Sequence, residues 1–275
     1  MINRLMAKLS EGLSRRGIEA EVRVEGSFAK DTWLAGENDL DLFVLLPEDS
    51  PRELFTEVLE VAQRLGGKRR LKYAEHPYLE IEFRGYRVEV VPCFRLRSPT
   101  ELRSAVDRTP FHTQYVSRRL NDGLKREVRL LKRFMMGTGC YGSEFKVGGF
   151  SGYLCELLIL HYGSFQGLVG RAASWKPGII IDIEGVYADP SEVRLLFGDR
   201  PLVVVDPVDR SRNVAAAVSL QSFATFVLAC RDFLKEPHEK FFFPNPARKI
   251  SRRELSRLIE RRGTGLFCIT FKTPD

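Results

Sequence analysis

The chain has 275 residues, with 43 Lys and Arg against 36 Asp and Glu, a net charge of +7 and a pI near 9.2. That length suits one large or two ordinary domains, and 44% apolar with 29% charged residues describes a chain with a core, not a disordered tail. The basic balance favours an anionic partner without establishing one, because many solvated surfaces are this basic.

Residues 1–17 read as a short amphipathic helix ending at Gly17, with no apolar stretch long enough for a signal peptide. EAEVRVEGS reads as a strand running into a glycine turn, and DLDLFVLL, residues 39–46, as a strand stopped by Pro47. Residues 51–66 follow as a helix with Leu54, Val58, Leu59 and Val61 on its apolar side, ending at Gly66-Gly67. Strands are expected over 69–75, 78–84 and 86–94, the last two joined as a hairpin at Gly85. From about residue 110 the texture turns helical, with helices near 113–121, 124–136, 150–162 and 213–233 and short strands over 179–187 and 201–206. Residues 214–230 carry no charge, but the run falls short of the roughly 20 residues of a membrane span. It reads as a buried helix capped by Asn213. The end of the chain reads as helix 251–260 and strand 265–272. The class is α+β, with a boundary at 112/113 and a small third piece from 236, where FFFPNPARK breaks the helical pattern.

Cys93, Cys140, Cys155, Cys230 and Cys268 are odd in number, scattered and free of any CxxC pair. That argues against a disulfide framework or structural zinc and for a reducing cytoplasm. His76, His112, His161 and His238 show no zinc-hydrolase spacing.

The informative stretch is GSFAKDTWLAGENDLDLF, residues 26–43. Asp39 and Asp41 sit two apart on a strand, so both carboxylates face one side while Leu40 and Leu42 face the other. Two acids side by side repel unless a cation lies between them, and oxygen-only ligands suit Mg²⁺. Glu89 in RVEVVPCF shares a face with Arg87 and Val91 and joins the pair if its strand neighbours the first. Three carboxylates around one or two metals make a phosphoryl-transfer site. Upstream, Gly26-Ser27 allows close backbone approach to a phosphate, and Lys30 and Thr32 can reach a triphosphate tail. Each piece alone has an ordinary explanation: solvated acids, a turn, a strand glutamate. The turn, the spacing and the third acid in chain order together point to phosphoryl transfer.

With those residues in hand, the chain resembles the nucleotidyltransferase superfamily shared with DNA polymerase β. More specifically it is similar to the archaeal-type (class I) CCA-adding enzymes, the tRNA nucleotidyltransferases. The matching runs are GSFAKDTWL, YAEHPYLEI, VEVVPCF, SAVDRTPFH, EVRLLKRF, YGSEFKV, GFSGYLCELLI and VVDPVDRSRNVAA, and the likeness extends from residue 26 to about 272. The resemblance implies a polymerase-β-like catalytic head over 1–112 and a helical neck over 113–235. It further implies the start of a body-like α/β module over 236–275, cut short relative to the family. It implies template-free, Mg²⁺-dependent addition of CMP and AMP, from CTP and ATP, to the tRNA 3′ end with release of pyrophosphate. Asp39, Asp41 and Glu89 match the catalytic, metal-binding acids, with Glu89 nearest the attacking 3′-hydroxyl. The family commonly has Glu first and Asp third, whereas this chain has Asp39 and Glu89 at those places.

Ser27 and Lys30 match the triphosphate turn, where the family often has Arg in the second place. Thr109, His112, Lys132 and Tyr141 match residues that hold the nucleotide sugar and phosphates, and Arg212 the base-reading arginine. Lys125, Arg129 and Lys132 fall at helical spacing as one basic face. Arg248-Lys249, Arg252-Arg253 and Arg261-Arg262 read as a solvated charged segment or as RNA phosphate contacts. The alternatives are a superfamily member that modifies another RNA or a protein, or a half that needs a separate body–tail subunit or self-association.

Overall fold

The computed structural model describes residues 2–73, 76–245, 250–267 and 269–270. Residues 74 and 75 of the strand expected over 69–75, and Arg248, Lys249 and Cys268, lie outside the described residues. One compact unit ends at Phe243, and Pro244–Asp275 form a second.

The first unit opens with helix α1 (Ile2–Ser14), strand β1 (Glu21–Glu25), a five-residue helix α2 (Gly26–Lys30) and strand β2 (Asp39–Leu46). Helix α3 (Leu54–Ala62) leads to β3 (Lys68–Tyr73), β4 (Pro77–Phe83) and β5 (Tyr86–Phe94). The five strands form one sheet in the order β1-β2-β5-β4-β3, with β2 and β5 parallel and the other pairs antiparallel. The β4–β5 hairpin turns where expected, because Arg84 (φ 51°) and Gly85 (φ 81°) both take the left-handed backbone of a tight two-residue turn. The even positions of β2, Leu40 to Leu46, bury against Leu5, Leu9 and Leu13 of α1 and Phe55, Val58 and Leu59 of α3. Each such side chain contributes roughly 1.5–3 kcal/mol. One face of the sheet is thereby fixed, and the odd positions of β2 are left on the other.

The helical part contains α4 (Thr109–Arg119), α5 (Asp122–Thr138), α6 (Gly152–Tyr162), α7 (Phe165–Ala172), α8 (Pro190–Phe197) and α9 (Leu220–Lys235). Strands β6 (Ile179–Ile181) and β7 (Leu202–Val204) form a small parallel pair, both shorter than expected. The core centres on Phe134 of α5, whose ring lies 5.2–6.4 Å from those of Phe165, Phe226, Phe233, Phe241 and Phe242. Gly137 makes room for this docking: a Cβ there would lie 2.1 Å from the Phe241 carbonyl oxygen. Among the described residues, no helix is long and apolar enough to cross a membrane.

The helix expected over 213–233 is corrected. It starts at Leu220 behind Ser219, whose hydroxyl accepts the Ser222 N–H at 3.1 Å. Asn213 does not cap it. Its Oδ1 accepts the N–H groups of Val204 and Ala215, both at 2.9 Å, and its Nδ2 donates to the Leu202 carbonyl at 3.2 Å. Residues 213–218 are a loop pinned to β7, with Asn213, Val214, Ala215 and Val218 buried, and an uncharged sequence suits such a loop as well as a buried helix.

In the second unit, α10 (Arg252–Arg262) carries a capping box between Ser251 and Glu254 and has no buried residue. The described part of 265–272 contains no strand.

Because Asn213 serves three buried backbone groups, Asn213→Ala should cost about 2–3 kcal/mol, against about 1 kcal/mol for Ser219→Ala. Equal losses in chemical denaturation would show that Asn213 is an ordinary cap.

Candidate active site

Register assembles the acids. Asp41 on β2 pairs with Glu89 on parallel β5, so the adjacency on which the third acid depended is present. The row is longer than the sequence reading foresaw: Glu25 of β1 pairs with Asp41, and Glu80 of β4 pairs with Glu89. Four carboxylates thus cross the sheet on one face, which Phe43, Leu45, Val91 and Cys93 continue further along β2 and β5. Glu80 could have been found by counting back from the Gly85 hairpin. Glu25 is the last residue of β1, directly before the Gly26-Ser27 turn.

The environments of these acids differ. Burial pushes Asp41 up to about 6; Lys30 pulls against this, and Asp39 adds to the rise. Burial also raises Glu89, with Asp41 adding to it. Burial raises Glu25, which is 3% exposed and whose Oε2 has no partner. Lys72 pairs with Glu80. Asp39 is half exposed and held by Arg87, whose Nε donates to its Oδ1 at 2.7 Å. Among the described residues, no three His, Cys, Asp or Glu side chains converge on a point that could hold a cation. The expected ligands Asp39, Asp41 and Glu89 share a face, with Asp39 turned onto Arg87.

Gly26 explains how the turn meets these acids. Its φ is +66°, and a Cβ would lie 1.8 Å from the Asp41 Oδ2. The missing side chain is the space that the Asp41 carboxylate fills. Ser27 starts the helical turn of α2, which closes with the Thr32 N–H on the Ser27 carbonyl at 2.9 Å.

Lys30 and Thr32 are not open to the face of the acids. Lys30 is 7% exposed and donates to Glu156 Oε2 of α6 at 2.5 Å, while the Thr32 hydroxyl donates to Glu156 Oε1 at 2.6 Å. The basic face of α5 is likewise a seam. Lys132 is 1% exposed and donates to the Thr32 carbonyl at 2.8 Å, and Arg129 and Lys125 reach Asp31 at 3.5 and 3.8 Å. Burial lowers the pKa of Lys132, and Glu156 opposes this. Tyr141 stands beside Lys132, since a Cβ on Gly152 would lie 3.3 Å from the Tyr141 hydroxyl and 3.4 Å from the Lys132 Nζ.

Thr109 lines a cavity of about 330 Å³ together with Asp41, Phe43, His76, Tyr78 and Glu89. One helical turn on, His112 stacks on Tyr153 at 4.0 Å, and the Lys30 ammonium lies 5.6 Å from the other partner's ring, that of Tyr153. The His112 Nε2 lies 2.9 Å from Asp206 Oδ2, the same oxygen that accepts from Arg212 Nη1 at 2.8 Å. A continuous set of contacts therefore runs from Asp41 through Gly26, Lys30 and Tyr153 to His112, Asp206 and Arg212. Glu156, Tyr153 and Asp206 were not singled out from sequence, although all three lie within runs quoted above.

Two outcomes test this electrostatic picture. A folded-state pKa near 6 for Asp41, above its ordinary 3.8, means that the fold prefers the protonated acid. Stability is then greatest below pH 4 and falls as pH rises through 6, by about 3 kcal/mol from this group. Asp41→Asn should flatten that part of the profile in thermal or denaturant melts; an unchanged slope would place the titration elsewhere. Gly26→Ala should displace Asp41 and weaken Mn²⁺ binding roughly tenfold or more, followed by electron paramagnetic resonance.

Comparison with known proteins meets this geometry. Residues 6–112 match the nucleotidyltransferase domain family, and residues 126–243 match the second domain of tRNA nucleotidyltransferases. The chain is 47% identical to a CCA-adding enzyme of Methanosarcina acetivorans over 92% of its own length and 55% of that protein. For a CCA-adding enzyme of Methanopyrus kandleri the identity is 42%, over 99% of this chain and 59% of that one. The chain thus spans a little over half the length of the curated relatives it matches. A solved cytoplasmic RNA terminal U-transferase superposes with a TM-score of 0.67 at 17% identity, covering 90% of this chain and 92% of that one. A poly(U) polymerase structure superposes with a TM-score of 0.65 at 16% identity, covering 89% and 90%. These two likenesses show the two-domain fold alone. With both domain families in order and identities of 41–47% to archaeal relatives, the chain belongs to the archaeal-type tRNA nucleotidyltransferase family of the polymerase-β-like superfamily.

Proposed function

We propose that this chain carries the nucleotidyl-transfer site of a CCA-adding enzyme, which adds CMP and AMP from CTP and ATP to a tRNA 3′ end. The observation that carries this reading is the Asp41–Glu89 pair, with Asp39 two residues along and Gly26 opened for the Asp41 carboxylate. The fold alone would admit terminal addition of other nucleotides; identity to CCA-adding enzymes over more than nine-tenths of the chain favours C and A. Residues 1–112 serve as catalytic head, 113–235 as neck and 236–275 as the start of a body-like module.

The chemistry of the donor set suits a divalent cation, with Asp39 turning from Arg87 to complete it. It is oxygen-only, two of its acids are held in register, and burial disfavours both as free anions. Mg²⁺ would be held by Asp39, Asp41 and Glu89, and when bound it supplies neutralisation of the triphosphate and a more acidic 3′-hydroxyl. Ser27 and Tyr141 bind phosphates and sugar, joined by Lys30 and Lys132 when a phosphate draws these from Glu156 and the Thr32 carbonyl; Thr109 and His112 hold the nucleoside, and Arg212 reads the base. The 3′-hydroxyl oxygen forms a bond to the α-phosphorus, the bond from that phosphorus to the bridging oxygen breaks, and pyrophosphate leaves. Glu89 takes the hydroxyl proton, a role suited to a carboxylate whose pKa is raised by burial.

The test is incorporation of labelled CMP and AMP onto tRNA lacking its CCA end, with Mg²⁺. It is run with the chain alone and with a second chain equivalent to the remaining length of the relatives. Asp41→Ala should remove incorporation by a factor of roughly 10³ or more while the melting curve keeps one transition. Absence of incorporation in both formats overturns the reading.

A further inference from the structure

Asp206 follows β7 and is fully buried. Its Oδ1 accepts from the Tyr153 hydroxyl at 3.1 Å and the Val208 N–H at 3.0 Å. Its Oδ2 accepts from His112 Nε2 at 2.9 Å and Arg212 Nη1 at 2.8 Å. An ionised carboxylate offers about four acceptor sites. All four are in use, so Asp206 has no capacity left for a ligand and acts only through the groups it holds.

Those groups come from three elements. Tyr153 lies on α6, His112 on α4, and Arg212 in the loop 205–213 that leaves β7. The loop is itself tied down. The Asp206 N–H donates to the Arg212 carbonyl at 3.0 Å, and the Arg212 N–H to the Asp209 carbonyl at 2.9 Å. Asp209 accepts from Arg108 Nε at 2.8 Å. The Arg212 guanidinium remains about one-third exposed, with Asp206 as its charged partner.

We propose that Asp206 is the positioning residue that presents His112 and Arg212 to the incoming nucleoside and so sets which base is accepted. The assignment rests on the nucleotidyl-transfer reading above. An ionised carboxylate only accepts, so His112 carries its proton on Nε2 and its Nδ1 is an acceptor, suited to a ribose hydroxyl. Burial lowers the pKa of His112 against the pull of Asp206, which favours the neutral ring. Burial alone would raise Asp206, but the bonds from His112, Val208 and Arg212 outweigh it and hold the acid at about 2. With Nη1 committed to Asp206, the remaining guanidinium N–H groups keep one direction. A freely rotating arginine would offer donors to any base carbonyl.

The test substitutes Asp206→Asn, whose amide can donate where the carboxylate only accepts. Nitrogen-15 spectra of the histidines read the first effect without any activity. The wild-type His112 should show the Nε2–H tautomer at pH 7, and the variant should shift to Nδ1–H. A wild-type ring that is protonated, or carries its proton on Nδ1, overturns the assignment. In incorporation onto tRNA lacking its CCA end, the preference for CTP over UTP should fall roughly tenfold, mostly through KM. A folded variant whose preference stays within about twofold overturns it, even if its Tm has dropped. Should Asp206→Asn fail to fold, Tyr153→Phe removes one donor and keeps the ring stack. It should lower the same preference roughly threefold, and an unchanged preference overturns the assignment. A wild-type protein that incorporates nothing, alone and with the second chain, defeats the nucleotidyl-transfer reading, while the tautomer result still judges Asp206.

Discussion

Four carboxylates in one row across a sheet repel one another, and the rest of the first unit is arranged around that repulsion. At an effective dielectric near 20 and a strand spacing of about 5 Å, each ionised neighbouring pair costs about 3–4 kcal/mol. Three devices offset this. The opposite face is an apolar layer under α1 and α3, which supplies the burial energy that keeps the strands in register. Arg87 and Lys72 pair with Asp39 and Glu80, acids at the margins of the group. The central pair, Asp41 and Glu89, answers by a rise in pKa. The fold therefore holds a charge deficit where the proposed chemistry wants a cation, as expected of a functional site that works against stability.

The helical part inverts the pattern. Its buried charges include two acids, Glu156 and Asp206, each set where it grips cationic or donor groups. Glu156 holds Lys30 at the end of α2 and Thr32 just beyond it, and Asp206 holds His112 and Arg212. The charge therefore alternates, from the acids of the sheet to Lys30 and Lys132 and then to the acids of the helices. The net +7 is thus not simply a basic coat for an anionic partner. Part of it is internal, spent on cations that lie buried between the sheet and the helices.

Much of this was legible in sequence where side-chain periodicity decides the outcome. The alternation of DLDLFVLL fixes which side Asp39 and Asp41 face, and the Gly85 turn fixes how Glu89 lies against β4. The pairing of β2 with β5 was only conditional, because a parallel neighbour is chosen by the crossover through α3 and the hairpin and leaves no local trace. Helical spacing puts Lys132 on one basic face with Lys125 and Arg129, yet it is among the most buried side chains. Its burial depends on the Thr32 carbonyl about a hundred residues away. Glu156 sits in the apolar run LCELLIL, where a lone acid signals a buried partner, but not which one. Asn213 misled for the opposite reason: it is a good helix cap, and here three backbone groups from β7 and its loop claim its amide first.

The seam built on Lys30 and Glu156 has a further consequence. The two side chains are 7% and 1% exposed, so their attraction is strong but offset by the loss of hydration. A buried ion pair of this kind is a poor source of net stability. Removing either partner alone, however, costs about 3–5 kcal/mol because the other charge stays buried. It therefore specifies geometry: sheet and helices meet where Lys30 finds Glu156 and Lys132 finds the Thr32 carbonyl. Lys30 also feels Asp41 across the Gly26 turn. Any anion that recruits Lys30 competes with Glu156 for the same ammonium. Occupancy of the site and the setting of helices against sheet are then coupled through a single side chain. In this chain that side chain is a lysine, a point charge on a flexible stem, where the family often has the rigid fork of an arginine.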